Sequence, residues 1–280
     1  MKKILITGAN SYIGKSIEKW LERWMGEYFV ETVDMVNGNW TNKDFSDFDV
    51  VLHVAGIAHV KETKENTELY YKVNRDLAYN VAQKSKGDGV KQFIFLSSMS
   101  VYGMETGIIT KDTVPVPKNN YGKSKLQAEE LIASLKSKSF KIAVIRPPMI
   151  YGKGCKGNYI RLEKFALKSP VFPNIENKRS MIYIDNLCEF VKFLIDDCSS
   201  GLFFPQDDVY VCTSEMVKCI AEIHGKKMWM TKLFNPALRI LNIGMVSKVF
   251  GNLVYDKSMS EYSNGYAGTD FITTIKLTEK

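Results

Sequence analysis

The first half of the chain alternates short apolar runs with segments whose apolar residues recur at helical spacing. Residues 3–7 form a compact apolar run that ends in a turn. Ile13, Ile17, Trp20, Leu21 and Trp24 then recur every three or four positions, which predicts strand, loop and helix. Residues 28–36 and 50–55 read as two more strands. Leu69, Tyr70, Val73, Leu77 and Val81 share one face of a helix that leads into a strand at 92–97. Residues 121–135 are again helical by pattern. The β-branched run at 141–145 stops at Arg146-Pro147-Pro148, because proline has no N–H to give to a ladder. Strands that alternate with helices imply right-handed crossovers and a parallel sheet, so the predicted class is α/β with a doubly wound sheet.

After Pro147 the texture changes. Gly152, Gly154 and Gly157 cluster, and the periodic pieces become shorter and richer in aromatic residues. A first domain is therefore expected over 1–146, with a return to its sheet at about 181–212, where 180–194 reads as strand plus helix. A small C-terminal cap is expected from 147–180 and 213–280.

Composition narrows the function classes. With 280 residues, 45% hydrophobic and 25% charged, the chain carries enough apolar material for a buried core. Its 38 basic and 31 acidic residues give a net charge of +7, but the lysines are scattered among acids, as on a solvated surface, and nucleic acid is not an expected partner. The five cysteines include no CxxC pair, which disfavours a disulfide framework or a metal cluster. His53 is expected to pack within the third strand, His59 and His224 show no partner pattern, and no metal site is expected. The N-terminus enters a strand at once, so a cytoplasmic protein is expected. The apolar stretch 236–255 is interrupted by Arg239 and Lys248 and falls short of a membrane span; no membrane partner is expected, although a surface amphipathic helix stays open.

Three motifs carry chemistry. Thr7-Gly8-Ala9-Asn10-Ser11-Tyr12-Ile13-Gly14 sits between a strand and an amphipathic helix, where backbone amides and a helix N-terminus favour a pyrophosphate. Asp34 follows Gly14 by 20 residues at the end of the second strand. A carboxylate there accepts from a ribose 2′-hydroxyl and repels a 2′-phosphate, which points to NAD over NADP. In Tyr121-Gly122-Lys123-Ser124-Lys125, a spacing of four puts Tyr121 and Lys125 on one helix face, and an adjacent ammonium would lower the tyrosine pKa toward useful range. Ser97-Ser98 closes the fourth strand, at the sheet edge where such folds bind ligands.

In their order, TGANSYIG, VLHVAGIAHV, FLSSMSVYG, YGKSK and RPPMIYG resemble the extended short-chain dehydrogenase/reductases, in particular the nucleotide-sugar epimerase/dehydratase family, over about residues 1–195. The resemblance implies a Rossmann-like sheet with a small C-terminal substrate-binding cap and a catalytic set of Ser98, Tyr121 and Lys125. It implies NAD held by Gly8, Asn10, Ser11, Tyr12, Ile13, Gly14, Asp34, Ala55, Gly56, Asn74, Ser97, Tyr121, Lys125 and Pro147. Asn158 and Arg179 would meet the phosphates of the nucleotide sugar, beside Ser98 and Tyr121 at the sugar. It further implies a homodimer formed by helices at about 66–86 and 121–135, with Val73, Leu77, Val81 and Leu131 supplying apolar positions. Ser11 replaces the family's middle glycine, so a pyrophosphate must pass its hydroxymethyl group or bond to it. Met99-Ser100 replaces the acidic pair of the dehydratases, which removes the acid and base for eliminating water. The implied activity is 4-epimerisation of a UDP-hexose or UDP-N-acetylhexosamine through a 4-keto intermediate. The alternatives are a 4-ketoreductase of a UDP-deoxy-amino sugar using NAD(P)H and a non-catalytic dinucleotide sensor.

Overall fold

The computed structural model describes residues 1–36, 38–58, 60–233, 235–236, 244–262 and 268–280. The expectation for His59, and that for part of 236–255, lie outside the described residues. The elements run β1 (Lys2–Thr7), α1 (Tyr12–Leu21), β2 (Tyr28–Val33), β3 (Val50–His53), α2 (Thr67–Tyr70), a π-helical turn (Tyr71–Asp76), α3 (Leu77–Gly87), β4 (Gln92–Leu96), a 3₁₀ turn (Met99–Tyr102), β5 (Gly107–Ile109), α4 (Asn120–Ala133), β6 (Lys141–Ile145), β7 (Met149–Tyr151), α5 (Asn158–Lys168), β8 (Val171–Pro173), β9 (Met181–Tyr183), α6 (Ile184–Asp196), β10 (Gly201–Phe203), α7 (Thr213–Ile223), β11 (Trp229–Thr231) and β12 (Leu253–Tyr255), with further helices at Gly244–Phe250 and Phe271–Glu279.

Two compact units divide the chain. The first comprises Met1–Gly103, Val114–Pro147 and Leu187–Pro205; the second comprises Met104–Thr113, Pro148–Asn186 and Gln206–Lys280. The first unit is built on a six-stranded sheet in the order β2-β1-β3-β4-β6-β10, parallel throughout. This is the Rossmann-like arrangement. Its central strands read as nearly continuous apolar runs because helices cover both faces of such a sheet. The register aligns Leu5, Val51, Phe93 and Ile142 across four strands, and this row packs against Ala78, Val81 and Ala82 of α3 and Ala128 and Ile132 of α4. Val81 is fully buried in that cluster and Leu77 packs on it, so both serve their own sheet.

Local differences from the sequence reading have local causes. β2 stops at Val33, before the predicted 36, because the Asp34 carboxylate accepts from Val36 N–H at 2.9 Å and turns the chain. The predicted helix around residue 69 contains the π-helical turn, which apolar periodicity does not reveal. The strand read within 180–194 is β9, which pairs with β7 and not with the large sheet; β10 is the strand that returns to that sheet.

The second unit contains three two-stranded parallel sheets, β5–β12, β7–β9 and β8–β11, with α5 packed on α7 and the last helix against α7. Asp207 is its polar hub. It accepts from Tyr151 hydroxyl at 3.0 Å, Asn186 Nδ2 at 2.8 Å and Tyr183 N–H at 3.1 Å, and burial raises its pKa to about 6 against those bonds. His224, read as lacking a partner, has one: its Nε2 lies 2.7 Å from Glu279 Oε2. All five cysteines are free thiols. Among the described residues, no helix is long and apolar enough to cross a membrane.

Phe93 lies in the middle of the buried row across the large sheet. It is 0% exposed and packs against His53 and Phe140. Phe93→Ala should lower the unfolding free energy by about 3–5 kcal/mol, read from the urea midpoint at unchanged slope.

Candidate functional site

The order of the large sheet creates its own binding edge. From β1 the chain crosses to β2 on one side and then to β3 on the other, so the loops after β1 and β3 diverge at the carboxyl ends of adjacent strands. The β1 loop is tied to β2 by Gly8 and Ala9 N–H groups that both donate to Val33 C=O, at 2.9 and 3.3 Å. Gly8 sits at φ +92°, and a Cβ there would lie 3.1 Å from both N and Cα of Ala55. At Gly14 a Cβ would lie 2.7 Å from Ser11 Oγ and 3.0 Å from Gly8 C=O. The loop is therefore closed to side chains, and the main chain and the start of α1 face an approaching ligand. Asn10 is exposed, and Tyr12 and Ile13 are half-buried in the first turn of the helix.

Ser11 uses its hydroxyl locally. Its Oγ accepts from Gly14 N–H at 3.0 Å and caps α1, so the hydroxymethyl group is folded into the helix start. The Asp34 carboxylate is exposed directly after β2, where the sequence placed it.

The π-helical turn supplies the next piece. Its Asn74 is 0% exposed and holds the loop after β3 from both sides: Oδ1 accepts from Ile57 N–H at 2.9 Å, and Nδ2 donates to Ile57 C=O at 3.0 Å and Ser124 Oγ at 3.2 Å. A Cβ on Gly56 would meet Asn74 Oδ1 at 2.9 Å and Lys125 Nζ at 3.4 Å, so Ala55, Gly56, Asn74 and Lys125 form one neighbourhood.

Helix α4 is capped by Asn119, whose Oδ1 accepts from Gly122 N–H at 2.8 Å. Gly122 lets the 3₁₀ turn come close, since a Cβ there would be 2.6 Å from Ser100 C=O. That contact sets Ser98 beside Tyr121, close enough for its hydroxyl to favour the phenolate. Ser98 Oγ also donates to Ser100 Oγ at 3.1 Å. Met99 N–H donates to Pro147 C=O at 2.9 Å, which joins the ends of β4 and β6.

The electrostatics correct one expectation. The Tyr121 phenol is raised above its ordinary pKa, chiefly by burial, with the Ser98 hydrogen bond opposing the rise; the expected lowering by Lys125 is not seen. The Lys125 ammonium instead donates to Leu96 C=O at 2.8 Å and lies 4.6 Å from the centre of the Phe95 ring. Burial lowers its own pKa to about 8, with Glu129 working the other way. His53, also fully buried, is lowered to about 3 by desolvation and then by Lys125, so it is a neutral ring; its Nδ1 lies 2.8 Å from Thr7 Oγ1.

Ser97 turns its hydroxyl toward Glu129. Asn158, exposed at the start of α5, and Arg179, half-buried, belong to the second unit. Arg179 Nη1 donates to Gly251 C=O at 3.0 Å.

The family model described as the NAD dependent epimerase/dehydratase family matches residues 4–204. The chain belongs to this family. A UDP-glucose 4-epimerase of Vibrio cholerae is 31% identical over 95% of this chain and 90% of its own length. An N-acetyl-α-D-glucosaminyl-diphospho-ditrans,octacis-undecaprenol 4-epimerase of Escherichia coli O157:H7 is 28% identical over 71% of this chain and 64% of its own. Among solved structures, the UDP-glucuronic acid 4-epimerase of Bacillus cereus in complex with NAD superposes with a TM-score of 0.76 over 99% of this chain and 97% of that one, at 20% identity. A dTDP-4-dehydrorhamnose reductase of Clostridium acetobutylicum gives 0.77 over 99% and 98%, at 21% identity. These two likenesses carry the fold.

The closed loop at Gly8 fits the cofactor for which the family is named. Because a side chain at φ +92° costs on the order of 1–3 kcal/mol, and here also meets Ala55, Gly8→Ala should weaken NAD binding about 10- to 100-fold. Titration by quenching of tryptophan fluorescence checks it, with circular dichroism as the control for folding.

Proposed function

We propose that this protein is a cytoplasmic NAD-dependent nucleotide-sugar 4-epimerase that acts on a UDP-hexose or UDP-N-acetylhexosamine through a 4-keto intermediate. The observation that carries the reading is the close packing of α4 at Gly122 on the 3₁₀ turn that Ser98 caps, which brings Ser98 and Tyr121 together at the carboxyl edge of the sheet with Lys125 one helical turn away, in a chain 31% identical to a UDP-glucose 4-epimerase over nearly its whole length. The main chain at Gly8, the capped start of α1 with Asn10, Ser11, Tyr12, Ile13 and Gly14, the Ala55–Gly56 loop held by Asn74, and Pro147 would hold NAD, with Asp34 at the adenosine ribose. The bound cofactor supplies reversible hydride storage.

The protein's own groups handle the proton. Tyr121 takes it from the sugar 4-hydroxyl and later returns it, and Ser98 keeps the phenol and that hydroxyl in line. The raised pKa of Tyr121 describes the phenol as the resting form, suited to donating the proton back. The phenolate needed for abstraction is opposed by burial and favoured by the Ser98 hydroxyl, and Lys125, an ammonium below about pH 8, is read as holding the nicotinamide ribose. Asn158 and Arg179 are read as holding the phosphates, and the second unit as the substrate-binding cap. Ser97 is removed from the direct cofactor contacts in this reading, because its hydroxyl serves Glu129.

Incubation of the purified protein with UDP-glucose and UDP-N-acetylglucosamine, without added cofactor, tests the proposal. Interconversion of 4-epimers is expected. In a parallel incubation, stoichiometric reduction of added NAD to NADH as the 4-hydroxyl is oxidised, with no epimer formed, identifies a 4-ketoreductase running in reverse, and retained NAD without turnover identifies a sensor. Tyr121→Phe should reduce turnover about 10²- to 10⁴-fold while NAD binding is kept; activity within twofold of the parent removes Tyr121 from the mechanism.

A homodimer is the assembly we propose, formed by the helical stretch from Thr67 to Gly87 together with α4. Leu69 and Leu131 are 45% and 38% exposed there, and a surface groove is lined by Arg75, Asp76, Gln127, Glu130, Leu131 and Ser134. With Val81 and Leu77 turned to the sheet, Leu69, Val73 and Leu131 are the apolar positions left to it. Sedimentation at micromolar concentration should give twice the 31.9 kDa chain mass; a single monomeric species overturns the assembly.

A further inference from the structure

Behind Ser98, Tyr121 and Lys125 lies a buried polar cluster that the mechanism above does not use. Glu129 follows Lys125 by one helical turn on α4 and is 7% exposed. Its Oε1 and Oε2 each accept from Arg146 Nε at 3.1 Å, and Oε2 accepts from Nη2 at 2.5 Å. Oε1 also accepts from the Ser97 hydroxyl. Arg146 is 6% exposed, and its Nη1 donates to the Tyr102 hydroxyl at 2.9 Å.

Stability alone is a weak reason for such a pair. Desolvating two charges costs about as much as their attraction returns, and apolar replacements of similar volume are often neutral or better. What distinguishes this pair is its attachments. Ser97 is the chain neighbour of Ser98. Arg146 is the neighbour of Pro147, whose carbonyl holds Met99. Tyr102 ends the 3₁₀ turn that Ser98 caps. Lys125 lies one turn along the same helix. Each element that presents a reacting group thus has an arm on this one cluster.

We propose that Glu129, gripped by Arg146, is a positioning residue for the reaction proposed above: it keeps the desolvated Lys125 ammonium charged and fixes Ser98 through Ser97. The charged and titratable groups that act on Lys125 among the described residues are Glu129 on its own helix and the neutral His53 on β3; those that act with Glu129 are Lys125, Arg146 and Tyr102. Burial is what lowers Lys125 to about 8, and Glu129 is the group that opposes it.

The decisive measurement is an NMR titration of lysine ¹³Cε signals in the whole protein without substrate, in the parent, in Glu129→Gln and in the double variant Glu129→Gln/Arg146→Met. Lys125 should titrate near pH 8 in the parent and about one unit or more lower in both variants, since an opposing charge one turn away is gone. The double variant separates positioning from folding, because it removes the carboxylate and the guanidinium together and leaves only Lys125, which can shed its proton: above the lowered Lys125 pKa its unfolding midpoint should stay near the parent's while Lys125 still shifts. The kcat of both variants should fall at least about threefold at pH 7.5, the change in protonated Lys125 that a one-unit shift gives, with KM little changed, and the alkaline limb of the rate profile should move acidward with the Lys125 titration. Glu129→Asp, which keeps the charge, should leave the titration near the parent's. A Lys125 titration that does not move in the folded double variant overturns the proposal. Because that titration needs no turnover, a failure of the epimerase reading would show as an inactive parent with the Lys125 shift intact.

Discussion

Everything that gives the first unit a site depends on one constraint: β1 pairs with β2 on one side and β3 on the other, so two loops must part at neighbouring strand ends. The gap is narrow enough that Gly8 and Ala55 nearly touch. That contact requires a glycine at positive φ, leaves backbone amides as the lining, and aims the start of α1 at whatever enters. Ser11 adapts to the same crowding. A serine where the family has glycine would obstruct an anion if its hydroxyl pointed outward; folded inward as the helix cap, it fills a role that a glycine could not.

In the proposed mechanism the chemistry rests on α4, which carries Tyr121, Lys125 and Glu129 at successive turns. Its charges are arranged in depth. Tyr121, with Ser98, is at the edge, the Lys125 ammonium lies behind it on a backbone carbonyl, and a carboxylate clamped by a guanidinium lies behind that. A neutral His53 completes the inner wall without adding charge. Burial opposes the charged forms of both Tyr121 and Lys125, so charge at this site is set by neighbours more than by solvent.

Much of this was legible in the sequence, for physical reasons. Strands buried on both faces announce themselves as apolar runs, and TGANSYIG and YGKSK place functional groups by short-range geometry that folding does not alter. Asp34 was singled out by its spacing of 20 residues from Gly14, while the turn that its carboxylate makes with Val36 N–H, and that ends the strand early, was not legible. What escaped detection depends on contacts distant in sequence. β5 and β12 are three residues each and exist by pairing across more than a hundred positions. Glu129 and Arg146 meet across 17 residues, and the only trace in the sequence was an acid four residues after Lys125 and a basic residue before two prolines. The direction of the Tyr121 shift was misread because helical spacing shows which residues share a face but not how deeply that face is buried.

The π-helical turn at Tyr71–Asp76 has an effect beyond Asn74. Its hydrogen bonds close five residues apart, not four, so one residue is added without lengthening the helix by a full step. The helix before it and the helix after it are therefore out of phase. Leu69 faces outward while Val81, on the face that simple counting assigns to both, is sealed against the sheet. A single irregular turn thus moves the buried face from Tyr70 before it to Ala78 and Val81 after it and leaves Leu69 outward, with the phase slip located at the residue that grips the loop after β3.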